Sequence, residues 1–383
     1  EEEFFGKREW LNSLKLRASY GAVGNSAIDP YQTIAGLSKY DYLFGEDAGN
    51  KFFAYRPSMI PNKDLGWEIS RTANFGVDFG LWNNRISGYI EGYITKTSDL
   101  LMERTLPFFT GFSKVWQNIG KTENKGIELN IQANTLKTKS FSWETTVTFA
   151  RNWNKITELL GGGDIRNNSW FIGKPLQVHY NYEMIGVWQL GEEKEAQKYG
   201  AIPGDIKVKD QNNDGSIGEL DKVILGQKDP KIIASLLNSF RFGAFDASIN
   251  LNMNFGSLIH PNTYASLITR DGLRWMPSNF KYWTPDNPTN EYTRADKLSG
   301  YDPFAGTGGY MKGDYIKIQD ITLGYDFSKI MPKNWKILRA RLYAQVRNLG
   351  YIYKACKNDV SPEAPDFDYN IPTTYTMGIN IDF

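Results

Sequence analysis

Cysteine and histidine are scarce in this chain. Its 383 residues include one cysteine, Cys356, and two histidines, His179 and His260. One cysteine cannot form an internal disulfide, and two histidines leave little for a zinc site. Because no partnering histidine pattern accompanies Cys356, we interpret it as a bystander and not as a catalytic thiol.

An excess of charge of one sign is also absent. Lysine and arginine total 44, and aspartate and glutamate total 43, which gives a net charge of +1. Proteins that bind nucleic acid neutralise its phosphates with a surplus of basic side chains. The balanced composition therefore excludes nucleic acid as an expected partner.

Long hydrophobic runs are missing as well. No stretch reaches the roughly 18 apolar residues of a membrane-spanning helix. Transmembrane strands, in contrast, alternate apolar and polar residues and never show such runs. The first residues, Glu1 to Gly6, have neither the basic nor the apolar region of a signal peptide. We therefore expect either an intracellular chain or a gene product that begins further upstream.

A repeated alternation of apolar and polar residues is the main feature that the sequence does contain. In the stretch from Tyr375 to Phe383, every second residue is apolar and the residues between them are small or polar. A period of two predicts a β-strand whose faces meet different environments. The pattern predicts about ten strands, at residues 14–20, 73–81, 86–97, 126–133, 141–151, 232–242, 245–255, 315–327, 338–346 and 375–383.

The connections between these strands are alternately long and short. The two longest span residues 152–231 and 256–314, whereas residues 243–244 alone join two strands. A meander that crosses a bilayer has this parity, with short periplasmic turns at one rim and long extracellular loops at the other. We therefore predict an all-β fold, a transmembrane antiparallel β-barrel. Alternation alone would also fit a soluble β-sandwich, but the loop parity and the aromatic strand ends favour the barrel.

The stretch 210–221 matches the residue spacing of an EF-hand calcium loop. Hard cations prefer oxygen ligands, and the loop offers them at alternate positions around Gly215. The alternative is an Asx-rich turn, in which the carboxylates accept hydrogen bonds from backbone amides. In the first interpretation the loop binds a structural Ca²⁺ ion with modest affinity, through Asp210, Asn212, Asp214, Ser216 and Asp221.

The predicted loops are rich in aromatic residues. Aromatic faces stack on sugar rings or peptide side chains, which suits a binding vestibule, but such residues also pack long loops together. His179 and His260 fall in predicted loops too, and we interpret them as hydrogen-bonding residues rather than catalysts. The candidates for substrate contact are Trp170, Trp188, Tyr264, Trp275, Trp283 and Tyr301.

Several motifs occur in a fixed order along the chain. They are the stretches from Leu14 to Asn25, Trp67 to Phe79 and Asn118 to Leu129, the segment from Pro203 to Lys207 before the calcium-like loop, and the terminal Phe383. In these motifs the chain resembles the C-terminal part of the SusC/RagA group of TonB-dependent outer-membrane transporters. The resemblance extends essentially from end to end.

The resemblance implies a plugged barrel of about 22 strands in the bacterial outer membrane. It further implies energy from TonB, a SusD-like surface lipoprotein as partner, and active import of a glycan, an oligosaccharide or a peptide. No covalent chemistry is implied, so the chain is not predicted to be an enzyme. Because the chain has about ten predicted strands, the N-terminal strands and the plug are expected outside it. The missing strands are expected to pair with its first and last strands.

Two other functions remain open from the residues alone. A self-contained ten-stranded outer-membrane barrel would act as a surface hydrolase, with His179 or His260 beside a loop carboxylate. In that barrel the first and last strands would be hydrogen-bonded to each other. A secreted carbohydrate-binding β-protein would instead stay soluble without detergent.

Overall fold

The computed structural model of the chain consists mainly of β-strands. It describes residues 8–26, 33–34, 36–43, 51–269, 280–294, 304, 306–328, 330–332, 337–357, 360–366 and 371–382. Three residues singled out from the sequence, Trp275, Tyr301 and Phe383, lie outside the described residues.

The strands and helices are numbered in chain order over the described ranges. The strands are β1 (Leu11–Asn25), β2 (Leu37–Leu43), β3 (Lys51–Pro57), β4 (Glu68–Leu81), β5 (Ile86–Ser98), β6 (Leu101–Thr105), β7 (Lys114–Asn118), β8 (Gly120–Lys137), β9 (Phe141–Leu159), β10 (Val178–Tyr182), β11 (Met184–Val187), β12 (Ile206–Val208), β13 (Lys222–Gln227), β14 (Ile232–Phe242), β15 (Phe245–Phe255), β16 (Leu258–Ile259), β17 (Met311–Lys312), β18 (Tyr315–Asp326), β19 (Arg339–Lys354) and β20 (Thr374–Asp382). The α-helices are α1 (Glu193–Lys198) and α2 (Asn262–Thr269). Four single 3-10 turns lie at Phe108–Thr110, Arg166–Asn168, Glu219–Asp221 and Thr307–Gly309. Among the described residues, no helix is long and apolar enough to span a membrane.

Ten of these strands form one antiparallel sheet in chain order. The order is β1-β4-β5-β8-β9-β14-β15-β18-β19-β20. All ten predicted strands are present and are paired as a meander. The bounds of β14 and β15 agree with the predicted ranges 232–242 and 245–255 at both ends. The predicted antiparallel fold is therefore confirmed.

Several strands are longer than predicted at the end that leads into a long connection. β8 begins at Gly120 and β9 ends at Leu159, beyond the predicted ranges 126–133 and 141–151. The added part of β8 is polar at successive positions, as at Thr122 and Glu123. Alternation reveals a strand only where its two faces meet different environments, so these extensions were not visible in the sequence.

The register places apolar side chains together on one face of the sheet. Leu16 lies opposite Val77, Val77 opposite Ile90, Ile90 opposite Leu129, and Leu129 opposite Phe149. Each of these residues alternates with a polar or small neighbour that points to the other face. We call the apolar side the outer face and the polar side the inner face.

The outer face has no protein layer packed against it within the described residues. Large apolar side chains on it are exposed, including Leu16 at 65%, Phe75 at 56% and Met377 at 76%. The buried hydrophobic residues lie mostly in the connections, for example Ile119 and Trp170. A soluble sandwich would cover this face with a second sheet. The described sheet instead has the surface of a transmembrane strand array that faces lipid.

The two edge strands of the sheet are not paired with each other. Within the described residues, β1 is hydrogen-bonded to β4 and β20 to β19, and the sheet stays open between β1 and β20. The self-contained barrel considered from the sequence requires the opposite arrangement. Open edges in lipid leave backbone groups without partners, at a cost of several kcal/mol per group.

Adjacent residues on β8 provide a test of which face meets lipid. Leu129 lies on the outer face and Asn130 on the inner face. We expect Leu129→Arg to destabilise the folded protein by about 2–4 kcal/mol, because it places a charge in lipid. Asn130→Arg, the matched control, should have little effect. Urea unfolding in lipid vesicles measures both, and equal costs for the two variants would contradict the assignment of faces.

Candidate functional site

Ion pairs connect neighbouring strands across the inner face. Arg17 on β1 donates to Asp78 on β4 at 2.9 Å and to Glu91 on β5 at 3.0 Å. Arg341 on β19 donates to Asp246 on β15 at 2.8 Å, across the intervening strand β18. The inner face is therefore a wall of paired charges, as expected of a water-filled lumen.

Hydroxyl and amide side chains extend this polar wall between the ion pairs. Thr148 and Ser235 are hydrogen-bonded at 2.7 Å, and Asn250 donates to Asp320 at 3.2 Å. The alternation of the sequence predicts that seven polar residues line the lumen, and all seven occupy inner-face positions in the observed registers. They are Glu128, Asn130, Gln132, Arg339, Arg341, Gln345 and Arg347.

Two glycines let tyrosine rings lie against the inner wall. A Cβ atom at Gly126 would lie 2.4 Å from Tyr93, and one at Gly378 would lie 2.6 Å from Tyr343. Each ring thus occupies the space that a side chain on the neighbouring strand would need. A polar cavity of about 540 Å³ opens near the short turns. Its lining includes Asn134, Glu144, Arg241, Asp246, Arg339 and Arg341.

A second cavity, of about 510 Å³, lies among the long connections. We call it the loop cavity. It is walled by residues of β11, of the segment 290–291, of β16 and of the turn 307–311. It combines apolar side chains with charges of both signs, including the ion pair between Glu291 and Lys357. Its polar and aromatic lining includes Glu183, Tyr264, Asn290, Glu291, Tyr310 and Lys357.

The two histidines lie next to this cavity and pack against Tyr310, at ring-centroid distances of 5.1 Å for His179 and 4.3 Å for His260. His179 Nε2 is 2.9 Å from the carbonyl oxygen of Leu258, and His260 Nε2 is 2.8 Å from that of Gly306. These carbonyl contacts are hydrogen bonds within the connections, as interpreted from the sequence. They do not form the pairing of histidine with carboxylate that the hydrolase alternative requires.

Burial lowers the pKa of His179 from its usual value to about 4, and the nearby positive charge of Lys228 acts in the same direction. The imidazole is therefore neutral at physiological pH. In that state one ring nitrogen carries a hydrogen and donates it to the carbonyl of Leu258. His179 thus joins β10 to β16 without introducing a charge.

Four of the predicted substrate-contacting aromatics lie in the described residues, and all four are buried. Trp170 packs with Ile156 in one apolar cluster, and Tyr264 packs with Val360 in another. Trp188 stacks on Tyr199 at 6.0 Å. Trp283, 6% exposed, donates its indole hydrogen to Gln189 at 2.9 Å.

This burial favours the alternative in which the aromatics pack the loops together. Stacking on a sugar ring requires a free aromatic face, and these faces are covered by protein. Tyr264 is the one of the four that also borders the loop cavity. Substrate contact by Trp170, Trp188 or Trp283 stays a prediction, and Trp275 and Tyr301 lie outside the described residues.

The predicted calcium ligands belong to one tightly hydrogen-bonded loop. Asp210 accepts the backbone N–H of Gly215 at 2.8 Å, and Asp214 accepts that of Ser216 at 2.8 Å. Asn212 donates to Asp214 at 2.8 Å. Hydrogen bonds from the Ser216 hydroxyl and amide lower the pKa of Asp214, so this carboxylate stays ionised.

Asp221 connects the two ends of this loop. It is 1% exposed, and its two oxygens accept the backbone N–H groups of Gln211 at 2.8 Å and Gly218 at 2.7 Å. In the part of the chain that the structure describes, no three carboxylate, histidine or cysteine groups are arranged to hold a metal ion. The donor oxygens suit a hard cation, whereas the observed contacts are those of an Asx-rich turn.

Some residues of the site were not singled out from the sequence. Glu183, Asn290 and Lys357 line the loop cavity, yet they come from three separate connections. The inner-wall Lys317, 3% exposed, pairs with Glu363 at 2.6 Å. No fixed spacing relates these positions, so only their folded arrangement reveals them.

The pKa of His179 can be measured directly, because the chain contains two histidines. We expect its ring to titrate near pH 4 in the folded protein by NMR, with His260→Asn used to assign the signal. The unfolded chain takes up this proton near the ordinary pKa. The contribution of neutral His179 to the free energy of unfolding should therefore be complete above about pH 6.5 and decrease as the pH falls from there to about 4. The loss should be about 1 kcal/mol, reduced by the partial exposure of the ring. A folded-state value near 6.5 would contradict the assignment of His179 as buried and neutral.

The comparisons with known proteins agree with this architecture. Residues 9–349 match the model of the family described as TonB dependent receptor-like, beta-barrel. The TonB-dependent receptor P26 of Formosa agariphila is 29% identical over 420 residues, which cover 100% of this chain and 41% of that relative. The TonB-dependent receptor SusC of Bacteroides thetaiotaomicron is 28% identical over 407 residues, covering 100% and 39%.

A solved structure shares the fold along the full chain. The structure of the RagAB peptide transporter superposes with a TM-score of 0.78 at 23% identity, covering 100% of this chain and 42% of that one. The chain thus spans about two fifths of the length of the relatives it matches. These relatives are receptors of the outer membrane and not enzymes, in agreement with the prediction. The chain therefore belongs to the TonB-dependent receptor β-barrel family, as a SusC/RagA-like integral protein of the bacterial outer membrane.

Proposed function

We propose that this chain forms the C-terminal part of the barrel of an active nutrient transporter. The observation that carries the proposal is the ten-stranded sheet with an apolar outer face and an ion-paired inner face. Family membership supports it, because the relatives are TonB-dependent receptors. The remaining strands would pair with β1 and β20 and close the barrel, and the plug would lie inside it. TonB would supply the energy.

We place the long connections outside the cell and the short turns in the periplasm. Short turns join β4 to β5, β8 to β9 and β14 to β15, all at the same end of the sheet. Outer-membrane barrels have short periplasmic turns and long extracellular loops. The connections 160–231 and 256–314, with the loop cavity between them, would then face the medium. A SusD-like surface lipoprotein would cover this side and deliver substrate.

A peptide fits the loop cavity better than a glycan. The cavity presents carboxylates, a lysine and the amide of Asn290, which can pair with the charged ends and the backbone of a short peptide. The indole faces that would stack on sugars are buried among the connections. The structure of the similar RagAB is that of a peptide transporter. We therefore propose an oligopeptide as the substrate, with an oligosaccharide as the alternative.

The ion pair in the loop cavity provides the test of substrate class. We expect the double variant Glu291→Gln, Lys357→Gln to weaken peptide binding about tenfold or more, because charge-assisted contacts are lost. The matched control is Glu195→Gln, Lys198→Gln, which removes an exposed ion pair on α1. Calorimetry on the detergent-purified protein, with a mixture of short peptides and a mixture of oligosaccharides, measures both. Binding of oligosaccharides alone would favour glycan import.

We also propose that the 210–221 loop binds Ca²⁺ as a structural ion. Asp210, Asn212, Asp214 and Ser216 offer oxygen donors, and Asp221 would have to give up backbone contacts to join them. That cost, together with Asp in the place of the usual Glu, agrees with the modest affinity predicted from the sequence.

Limited proteolysis tests the calcium proposal. Added Ca²⁺ should slow cleavage of the loop several-fold in the wild type, because bound metal restrains the backbone. The double variant Asp210→Asn, Asp214→Asn should lose this protection, and Asp229→Asn, an exposed carboxylate outside the loop, should keep it. If Ca²⁺ leaves cleavage of the wild type unchanged at millimolar concentration, the loop is an Asx-rich turn alone.

A further inference from the structure

Five basic side chains form a patch on the outer face of the sheet. They lie toward the long-connection ends of β4, β5, β8 and β9, and all are exposed. On its own strand, each of them is an even number of positions from outer-face residues such as Phe75, Ile94 and Ile127, and so lies on the same face. They therefore point toward the membrane side and away from the lumen. The members of this basic patch are Arg71, Lys96, Lys125, Arg151 and Lys155.

The basic patch lies one membrane thickness above the short turns. Arg71, Lys96 and Arg151 are each ten residues from the short-turn end of their own strand, Lys125 is twelve residues from it, and Lys155 is fourteen. A strand tilted by about 45° crosses the hydrocarbon layer with roughly 9–11 residues. The patch is thus at the level where acyl chains end and headgroups begin. The indole of Trp153, 44% exposed and 4.7 Å from the Arg151 guanidinium, marks the same level.

In the part of the chain that the structure describes, the positive charges of the patch are only partly balanced by carboxylates. Arg71 and Lys96 lie directly opposite each other on neighbouring strands. Like charges in this position destabilise a sheet unless an anion lies between them. Within the described residues one carboxylate belongs to the patch, Glu123, which lies directly opposite Lys96 and 3.1 Å from both Lys125 and Lys155. Five cations and one anion leave a local excess of four positive charges in a chain whose net charge is +1.

We propose that the basic patch binds the phosphate groups of anionic lipids in the outer leaflet of the outer membrane. The proposal rests on the extracellular placement of the long connections. Clusters of lysine and arginine at a membrane surface attract anionic headgroups, and here the cluster continues directly into the lipid-facing apolar surface. Acyl chains would lie along Phe75, Ile94 and Ile127, which are 44–56% exposed beside the cluster on the same face. This continuity favours a membrane lipid over a free phosphate or a protein partner.

Lipid binding to the detergent-purified, full-length protein tests the proposal. Native mass spectrometry with added diphosphorylated lipid A should show binding that phosphatidylcholine does not reproduce. The double variant Arg71→Gln, Lys96→Gln should bind lipid A about tenfold more weakly. The charge-preserving variant Arg71→Lys, Lys96→Arg should bind like the wild type. Arg166→Gln, Lys194→Gln is the matched control, since it removes the same charges from exposed positions in the connections.

Lipid A binding that is equal in the wild type and in Arg71→Gln, Lys96→Gln would overturn the proposal. The proposal would also be overturned if this double variant lost a co-purifying protein and kept its lipid, because the patch would then be a protein interface.

The orientation is checked separately, by labelling a cysteine introduced at the exposed Lys174 with an impermeant maleimide on intact cells. If the cysteine is labelled but lipid A does not bind, the lipid-binding proposal is refuted and the extracellular placement of the long connections stands. Failure to label refutes the extracellular placement and, with it, the outer-leaflet assignment.

Discussion

The ladder of backbone hydrogen bonds between neighbouring strands is the interaction on which the rest of this structure depends. In lipid an unpaired backbone group costs several kcal/mol, so each strand must be paired along the length that crosses the membrane. The register is fixed by the same requirement. A shift of one residue in β8 would turn Glu128 or Asn130 toward lipid and Leu129 toward water. Pairing and the division between the two faces therefore support each other.

A sheet with lipid on one side and water on the other cannot provide a hydrophobic core. Apolar clusters form instead where the connections pack together or against the end of a strand, one including Ile156 of β9 and one around Val360. This explains why the loop aromatics are buried. It also explains Cys356, whose thiol packs in the second cluster and lies 3.3 Å from the carbonyl oxygen of Val360. The cysteine is a structural residue of the connections.

Buried polar contacts fix the packed connections to the inner wall. Lys317 on β18 reaches Glu363, which also accepts a hydrogen bond from Tyr351 on β19 at 2.7 Å. A buried pair of this kind is costly if one partner is lost, so it specifies how the segment 360–366 sits on the wall. The neutral His179 does the same between β10 and β16. The loop cavity thus has walls whose position is determined by contacts on several sides.

The sequence by itself determined the ten strands, their order and the division between apolar and polar faces. Alternation and loop length are local properties, so β14 and β15 could be predicted to the residue. Alternation within a single strand also predicts that Glu128 and Arg341 lie on the inner wall, because it needs no information from other parts of the chain.

Only the tertiary structure decided which side chains meet in the connections. The sequence predicts Asp221 as a metal ligand, whereas the fold shows it buried and accepting hydrogen bonds from two backbone amides. The charges of the loop cavity and the pairing of Arg71 with Lys96 come from separate segments or strands, brought together by register and loop packing. Long connections have no period that relates sequence distance to distance in space. Their contacts depend on packing and burial over the whole chain, and a local pattern cannot specify them.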